Sequence, residues 1–415
     1  MTDPRRDTRT EETVELLQQL IRNACVNDGT PESGQEVRNA DTLEAYLDGV
    51  GLDMQRYEPT PGRVSLVTRI EGSDPTAPSL CLMGHTDVVP VNESGWTRDP
   101  FAGERVTTDG IEEVWGRGAV DMLNLTASMA VAFRSLAASD FEPKGDLIFF
   151  AVADEESGSA HGMRWMADNA ADAIMADYVL TENGGLHTGQ PDRPSIAVTV
   201  AEKGVAWRRL RIKGVPGHGS MPYRRDNALV TAAAAIQRLT EYAPPATVTE
   251  LWREQVDAMG LDAESTATLL DPNRIDEALE AMPAATASFL HACTHTTFSC
   301  NVLDGGPMKT NVIPDSITLE VDVRTLPGEG EAEVRAHLDT ALGDLADRVE
   351  VEALMADASS ISQTDTRLWD AIAAAVSTPF PTGRISPRMS VGFTDARIYR
   401  EMGAVAYGAG LLSPA

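Results

Sequence analysis

The sequence predicts an α/β fold in which a smaller α+β domain is inserted into a larger α/β domain. Up to about residue 181, short apolar runs alternate with helical stretches, which is the pattern of strands and helices around a largely parallel sheet. From about residue 196 the order changes to β-α-β-β-α-β, which is the ferredoxin-like plan. The α/β alternation resumes at about residue 358. We therefore predict domains over 1–197, 198–357 and 358–415, of which the first and third form one unit.

The first domain is predicted to begin with two helices. Apolar residues at helical spacing indicate a helix over 13–26 and a second over 42–50, which Asp41 would cap. The elements that follow are strands over 64–70 and 79–84, a helix over 122–138, a strand over 146–153, a helix over 158–170 and a strand over 177–181.

The inserted domain is predicted to begin with a strand-like run over 196–213. Its remaining elements are a helix over 226–241, strands over 297–303 and 316–324, a helix over 331–346 and a strand over 348–354. Residues 244–295 interrupt this order with helical character and no assignable chemistry. After it, a helix over 364–377 and mixed elements over 388–407 return to the α/β pattern.

Composition excludes several classes of partner. The 415 residues carry a formal net charge of −29, which repels nucleic acid and anionic membranes. The N-terminus lacks the apolar core of a secretory signal, and no apolar run reaches membrane-spanning length. Four scattered cysteines, in apolar or mixed surroundings, indicate reduced thiols and a cytoplasmic protein: Cys25, Cys81, Cys293 and Cys300.

Acidic or imidazole side chains follow four of the predicted strands or turns. They are His85 with Asp87, Asp121, Glu155 with Glu156, and Glu182. Each has a simpler interpretation by itself, since a His-x-Asp is often an ordinary turn and Asp121 could be a helix N-cap. The acidic run could be a solvated helix start, and Glu182 a surface loop residue. Because functional groups gather at the carboxyl edge of open α/β sheets, their conjunction favours one shared site.

A metal-dependent hydrolysis needs such a set of side chains. Histidine and carboxylate side chains bind zinc, and two ions about 3.5–4 Å apart can share one carboxylate and activate a water. A carboxylate that binds no metal must then take the proton of the water and pass it to the leaving amine. Adjacent glutamates can supply both a ligand and that base.

Four motifs resemble those of the zinc amidohydrolase and peptidase family of acetylornithine deacetylase, succinyl-diaminopimelate desuccinylase, aminoacylase-1 and glutamate carboxypeptidase. They are Gly-His-Thr-Asp-Val-Val-Pro at 84–90, Gly-Arg-Gly-Ala-Val-Asp-Met at 116–122, Asp-Glu-Glu-Ser-Gly at 154–158 and Gly-His-Gly-Ser-x-Pro at 217–222. The resemblance spans about residues 15–410 in the motif order of the family. It implies a zinc-peptidase-like catalytic domain with a central mixed sheet and a ferredoxin-like lid domain that also forms a homodimer.

The resemblance implies a two-zinc site in which Co²⁺ or Mn²⁺ could replace zinc. His85, Asp121 and Glu182 would hold one zinc, and Asp121 would bridge to a second zinc bound by Glu156. The family also places a histidine near the C-terminus on the second zinc, but the last histidine here is His337. We expect either a sequence shortened from a longer chain, which we favour, or a weak or empty second site.

The resemblance also assigns catalytic roles. Glu155 would be the general base, Asp87 would orient His85, and the peptide bond after Asp121 would be cis. His218 resembles the histidine that reaches across the dimer to stabilise the oxyanion; its simpler interpretation is a turn residue in a glycine-rich loop.

Substrate contacts are implied at four further positions: Asn311, Arg324, Gly392 and Thr394. An amide donor and a planar guanidinium suit a substrate carboxylate, although Arg324 could instead form a surface ion pair on an edge strand. The predicted function is hydrolysis of an amide or peptide bond next to a free carboxylate, in an N-acyl amino acid or short peptide. A non-catalytic or metal-impaired binding protein on the same fold and a di-zinc aminopeptidase are the alternatives.

Overall fold

A computed structural model describes residues 4–190, 192–305 and 309–410, so the outer ends of the predicted domains, 1–3 and 411–415, lie outside the described residues. The helices are α1 (Pro4–Arg22), α2 (Val37–Leu47), α3 (Leu123–Ala137), α4 (Met163–Asn169), α5 (Ala171–Ile174), α6 (Ala228–Glu241), α7 (Glu250–Met259), α8 (Ala263–Leu269), α9 (Ile275–Glu280), α10 (Ala284–Thr294), α11 (Glu331–Leu342), α12 (Arg367–Ser377) and α13 (Ala396–Glu401).

The strands are β1 (Met54–Thr60), β2 (Arg63–Ile70), β3 (Leu80–His85), β4 (Glu104–Thr108), β5 (Ile111–Trp115), β6 (Leu147–Val152), β7 (Tyr178–Thr181), β8 (His187–Gln190), β9 (Arg193–Glu202), β10 (Gly204–Val205), β11 (Arg208–Lys213), β12 (Gly217–His218), β13 (Thr297–Asp304), β14 (Val312–Ile313), β15 (Ser316–Thr325), β16 (Val349–Ala353), β17 (Ser360–Ile361), β18 (Arg384–Ser390) and β19 (Val405–Gly408).

The chain forms two compact units. The first unit consists of Met1–Leu186, Asp365–Ile372 and Thr394–Ala415, and the second unit consists of His187–Thr364 and Ala373–Phe393. The domain boundaries that the sequence suggests, at 197/198 and 357/358, remain a prediction.

A mixed sheet forms the centre of the first unit. Its strands lie in the order β1-β2-β6-β3-β7-β19. β1 pairs with β2 and β2 with β6 in antiparallel fashion, whereas β6, β3, β7 and β19 are parallel neighbours. This arrangement confirms the predicted central mixed sheet. Because parallel strands end at the same edge, the residues that follow β3, β6 and β7 come together there.

Strand β6 shows why both faces of this sheet are covered. All six of its residues are buried, and successive side chains of a strand point to opposite faces. Phe149 packs with α1, α2 and α3 residues in one core, whereas Ile148 and Phe150 pack with α4 and α13 residues in the other. A strand buried on both faces must be a continuous apolar run, as Leu147–Val152 is.

The second unit contains the predicted ferredoxin-like domain. Four antiparallel strands lie in the order β16-β11-β15-β13, and α6 and α11 pack on one face of the sheet through a shared apolar core. Alternate residues of β15 are buried, as expected for a sheet with one covered face. Helices α7 to α10 make up the predicted helical insertion. In the same unit, β9 pairs with β8, β17 and β18.

Several predicted elements differ from the structure. The first helix, expected over 13–26, spans Pro4–Arg22, and the strand-like run expected over 196–213 divides into β9, β10 and β11. Helix α2 begins at Val37, so Asp41 lies inside it and does not cap it; Asp41 instead pairs with Arg56 at 2.7 Å. Helix α4 begins only at Met163, because the chain before it passes through left-handed backbone at Asp154 and Ser159 (φ 65° and 69°), which no helix can continue through.

The hairpin of β4 and β5 was not predicted from the sequence. It turns at Asp109 and Gly110, which both have positive φ, and an Asp-Gly pair favours this geometry. In the part of the chain that the structure describes, no helix has both the length and the apolar character needed to cross a lipid bilayer.

Candidate active site

The predicted ligands of the first unit meet at the carboxyl edge of its sheet. His85 is the last residue of β3, Glu182 directly follows β7, and Glu155 lies just beyond β6. Ligand atoms of His85, Asp121 and Glu182 all lie within 4.8 Å of one another. The fold therefore brings His85 together with Asp121, which lies 36 positions later in the sequence, and with Glu182, which lies 97 positions later.

The hydrogen bonds of His85 aim one of its ring nitrogens at two carboxylates. Nδ1 lies 3.0 Å from the main-chain carbonyl of Asp87, and a carbonyl only accepts, so Nδ1 carries a proton. Nε2 lies 3.1 Å from Asp121 Oδ1 and 3.9 Å from Glu182 Oε2. A carboxylate only accepts, so Nε2 can bond these two groups through a second ring proton. A divalent metal ion would take the place of that proton.

The structure corrects one detail of the predicted role of Asp87. The carbonyl of Asp87 holds the His85 ring, whereas its carboxylate oxygen Oδ1 is 3.5 Å from Nδ1. The carboxylate accepts the main-chain N–H groups of Glu155 at 3.3 Å and Glu156 at 3.1 Å. Asp87 thus connects the turn that carries both glutamates to the histidine.

Asp121 is not a helix cap. Helix α3 begins after Met122 without a side-chain cap, and the Asp121–Met122 peptide bond is cis, as the resemblance implied. The Asp121 side chain is 67% exposed and its carboxylate bonds to His85 rather than to the helix. Asp121 is therefore the member of the group that is open to solvent.

Glu155 and Glu156 lie on a sharp turn after β6. The left-handed conformation of Asp154 begins this turn, and a single 3₁₀ turn over Glu155–Ser157 follows. Glu155 is buried, with 7% of its surface exposed, whereas Glu156 is half-buried. Glu156 is not in the group of three ligand atoms that lie within 4.8 Å, so its metal contact remains a prediction.

The carboxyl groups strongly perturb one another. Burial and neighbouring carboxylates hold the pKa of Glu155 and of Glu182 well above the usual range. Burial also raises the pKa of Glu156 to about 7, whereas the hydrogen bond with His85 lowers the pKa of Asp121. Burial by itself would lower the pKa of His85, but Asp121, Glu182 and the other carboxylates outweigh it and raise that pKa well above its ordinary value.

These side chains suit a zinc ion. One imidazole nitrogen and two carboxylates converge, and a carbonyl fixes the tautomer of the histidine, as is usual for zinc ligands. Several buried carboxylates in one place are costly unless a cation compensates them. The set therefore fits a divalent metal.

A buried polar network that the sequence analysis missed supports the site from below. Asn27 donates to Asp87 Oδ2 at 2.8 Å and to Asp154 Oδ1 at 3.0 Å. Arg63 pairs with Glu36 at 2.6 Å and approaches Asp154 at 3.4 Å, and these three side chains are at most 2% exposed. No local motif marks these residues; a buried ion pair becomes visible only when its partners are brought together.

Asp395 is a second residue that the sequence analysis missed. It is 1% exposed, its Oδ1 accepts the hydroxyl of Ser159, and its Oδ2 has no hydrogen-bond partner among the described residues. Burial raises its pKa to about 6. The neighbouring Thr394, a predicted substrate contact, is buried and accepts the main-chain N–H of Ala396 at 3.1 Å. Its hydroxyl therefore caps α13, and the substrate contact stays a prediction.

Two predicted residues of the second unit lie side by side. His218 on β12 pairs with Val312 on β14, and the N–H of Gly219 donates to the carbonyl of Asn311 at 2.8 Å. Both His218 and Asn311 are exposed. Because the main-chain N–H of Ser220 donates to His218 Nδ1 at 3.2 Å, Nε2 of the neutral ring carries the proton and can act as a donor.

One nitrogen of the Arg324 guanidinium is left without a hydrogen-bond partner among the described residues. Its guanidinium bonds Asp322 through Nε at 2.7 Å and Nη2 at 3.2 Å, and lies 5.2 Å from the ring centre of Phe393. Nη1 is buried and has no hydrogen-bond partner in the described part of the chain. Arg324 lies on β15 between β13 and β10, so it is not on an edge strand. Gly392, one residue before Phe393, is half-buried, and a side chain there would meet only Ser390 Oγ at 3.8 Å.

Comparisons with known proteins identify a family. The family model described as peptidase family M20/M25/M40 matches residues 81–414. A probable carboxypeptidase S-like 2 of Dictyostelium discoideum is 27% identical over 349 residues, 81% of this chain and 65% of its own length. The chain thus spans less than two thirds of that relative. A succinyl-diaminopimelate desuccinylase of Caulobacter sp. (strain K31) is 26% identical over 97% of this chain and 89% of its own.

A solved structure shares the fold. The M20 family metallo-carboxypeptidase Sso-CP2 from Sulfolobus solfataricus superimposes with a TM-score of 0.71 over 98% of this chain and 91% of its own, at 18% sequence identity. At that identity the likeness concerns the fold, and it confirms the predicted combination of a mixed-sheet domain with an inserted α+β domain.

Proposed function

Because the chain belongs to peptidase family M20/M25/M40, we propose that it is a metal-dependent hydrolase that cleaves an amide or peptide bond next to a free carboxylate. One observation carries the proposal: His85 Nε2 points at the carboxylates of Asp121 and Glu182, beside the buried Glu155. The names of the relatives, a carboxypeptidase-like protein and a desuccinylase, support an amide bond as the target.

Zinc is the proposed metal. His85, Asp121 and Glu182 would hold one ion, and Glu156 would hold a second one that shares Asp121. When bound, zinc supplies Lewis-acid polarisation of a carbonyl and lowers the pKa of a water. The half-buried position of Glu156 and the exposure of the Asp121 side chain, 67%, support a second ion on that side.

Glu155 is the proposed general base. It is buried and shares its turn with Glu156, and its carboxylate makes no hydrogen bond with the described residues. Its role is to accept a proton from the attacking water and to deliver that proton to the leaving amine. A raised pKa suits both transfers, because the group must gain a proton and lose it again near neutral pH.

Arg324 and Asn311 are proposed to recognise the carboxylate of the substrate. The buried Nη1 of Arg324 lacks a partner among described residues, and a buried unpaired N–H group is costly unless a ligand satisfies it. A guanidinium that is already fixed by Asp322 and Phe393 can present this N–H with little loss of entropy. A free α-amine, the group an aminopeptidase reads, would not be attracted to such a cation.

His218 is proposed to donate Nε2–H to the oxyanion, and the second unit is proposed to form a homodimer in the cytoplasm. Exposed apolar side chains of that unit support an interface: Met221, Tyr223 and Val230 are 58%, 80% and 67% exposed.

The test is a matched pair of substrates. The zinc-loaded chain should hydrolyse an N-acetyl amino acid, and it should leave the amide of the same amino acid intact because that compound lacks the carboxylate. Hydrolysis of the amide alone would favour a di-zinc aminopeptidase. No hydrolysis and no bound metal would favour a binding protein on this fold.

A further inference from the structure

We propose that the helical insertion of the second unit contains a second zinc-type site, made by Asp276, His291 and His295. Asp276 lies on α9, His291 lies on α10, and His295 directly follows α10. Their ligand atoms all lie within 4.8 Å of one another. This proposal is independent of the proposed hydrolysis.

The sequence spacing already favours such a site. His291 and His295 are four positions apart, and residues at i and i+4 lie on the same face of a helix. Their rings stack with centres 4.0 Å apart and an angle of 4° between the planes, so their in-plane lone pairs run parallel, and the half-buried His291 must turn its ring for both nitrogens to reach one ion. Two imidazoles on one face can offer a nitrogen each to one ion, and imidazole is a good ligand for zinc, copper and nickel.

His295 is already prepared as a ligand. Its Nδ1 lies 3.1 Å from the main-chain carbonyl of His291 and 3.0 Å from the hydroxyl of Thr294. A carbonyl only accepts and a hydroxyl can also accept, so a proton on Nδ1 satisfies both contacts. The lone pair of the neutral ring is therefore on Nε2. Nε2 is buried in a side chain that is 1% exposed and makes no hydrogen bond within the described residues. A backbone carbonyl that fixes the tautomer is the usual partner of a metal-binding histidine.

The helix end that carries His295 is held firmly. The ammonium of Lys203 donates to the carbonyls of Ala292 at 2.9 Å and His295 at 2.6 Å, and the N–H of His295 donates to the carbonyl of His291 at 2.9 Å. Lys203 therefore bonds to the main chain of this turn. A ligand on a fixed main chain loses little entropy when it binds an ion.

Asp276 supplies the negative charge. Its Oδ1 lies 3.4 Å from His295 Nε2, and its side chain is 62% exposed. Ligand atoms around a tetrahedral zinc at about 2.0–2.1 Å are about 3.4 Å apart, so the cluster must contract slightly. Asp276 is exposed and His291 is half-buried, so both side chains can turn toward the fixed His295. Three protein ligands leave the fourth position for a water.

Metal binding would join α9 to α10, immediately before β13 of the ferredoxin-like sheet. The test measures zinc bound by the full-length chain after dialysis against zinc and removal of the excess, in His291→Gln and Asp276→Asn. Glu277→Gln is the matched control, since Glu277 is the exposed neighbour of Asp276 on α9.

We expect each of the two ligand variants to bind one zinc fewer per chain than the unsubstituted chain, and Glu277→Gln to bind the same number. Addition of zinc should raise the melting temperature of a His85→Ala chain, and His291→Gln in that background should reduce this rise. Hydrolysis by the first unit should persist in His291→Gln, which separates this proposal from the proposed function.

Equal zinc content in the unsubstituted chain, His291→Gln and Asp276→Asn would overturn the proposal. In that case the cluster is a histidine–carboxylate ion pair without a metal. The same loss in Glu277→Gln would also overturn it, because the effect would then reflect the general acidity of α9. Far-UV circular dichroism of each variant establishes that the helices are retained.

Discussion

Replacement of Glu155 with glutamine removes the proposed base and keeps the shape of its side chain. Glu155 is 7% exposed, and its main-chain N–H donates to Asp87 Oδ1 at 3.3 Å, which glutamine retains. A positioned general base contributes about 10²- to 10⁴-fold to a rate, which corresponds to about 3 to 5 kcal/mol in the activation barrier. We expect kcat to fall by that factor while the metal stays bound.

The same substitution should not destabilise the metal-free chain. Burial and the Glu182 carboxylate raise the pKa of Glu155 well above its usual range, so ionisation of Glu155 opposes folding of the metal-free chain. A carboxyl group with a raised folded-state pKa costs stability once the pH exceeds its unfolded value of about 4.3. Glutamine stays neutral, so at pH 7 the metal-free variant should melt at the same temperature as the unsubstituted chain or higher. Lost activity would then not reflect unfolding.

The assay follows hydrolysis of an N-acetyl amino acid by zinc-loaded protein, with elemental analysis of the same samples. Glu142→Gln is the control, because Glu142 is exposed and lies outside the site. Turnover by Glu155→Gln above about one tenth of the control, against the 10²-fold minimum expected of a base, would refute the role. Loss of zinc from Glu155→Gln would instead make this residue a ligand.

Three further predictions follow from the buried charges and from the guanidinium of the second unit. Arg324→Lys should raise KM for a carboxylate substrate by about 10- to 100-fold with a smaller change in kcat, because lysine lacks the planar fork of N–H groups; steady-state kinetics measures this. Arg63→Met leaves Glu36 buried without its cation and should lower the free energy of unfolding by about 3–5 kcal/mol in urea denaturation. Burial raises the pKa of Glu36 from 4.5 to about 7, so the metal-free chain should lose stability as the pH rises from 5 to 7, by about 2 kcal/mol for this group.

Each of these has a control. Arg209→Lys removes a guanidinium from a half-buried pair with Glu320 and should leave KM unchanged; a matching rise in KM would contradict the role of Arg324. A loss of unfolding free energy below about 1 kcal/mol in Arg63→Met is the size expected for a surface ion pair. It would contradict the stabilising role of a buried pair. Stability that rises between pH 5 and pH 7, measured by urea titration without metal, would contradict the raised pKa of Glu36.

Local patterns predicted much of the fold. The fully apolar Leu147–Val152 is a strand buried on both faces, and α3 lies within one residue of its predicted ends at each side. Failures occurred where tertiary contacts override local preference. Helix α2 starts early at Val37, directly after Glu36, which is drawn into a buried pair with Arg63. Helix α4 starts late because the left-handed residues Asp154 and Ser159 interrupt the helical backbone. They flank the turn that carries Glu155 and Glu156 at the sheet edge.

The site was partly predictable for a related reason. His85 and Glu182 lie at the ends of strands that are visible in the sequence, and parallel strands place such ends together, whereas Asp121 lies just before a helix whose start is visible. Asn27 and Asp395 escaped prediction because their role is to bond or support the other groups. Asn27 lies 60 positions from Asp87, to which it donates, and no local pattern marks that partnership.

Fold class, family and the residue types that a metal-dependent hydrolase requires can be read from the chain, because periodicity and motifs are local properties. The folded structure was needed to show which nitrogen of His85 faces the carboxylates, that the carbonyl of Asp87 holds the ring, and that Nη1 of Arg324 has no partner among the described residues. It alone brought Asp276 to the histidines of α10. Hydrogen-bond direction and burial depend on groups that are far apart in sequence and come into contact only after the chain has folded.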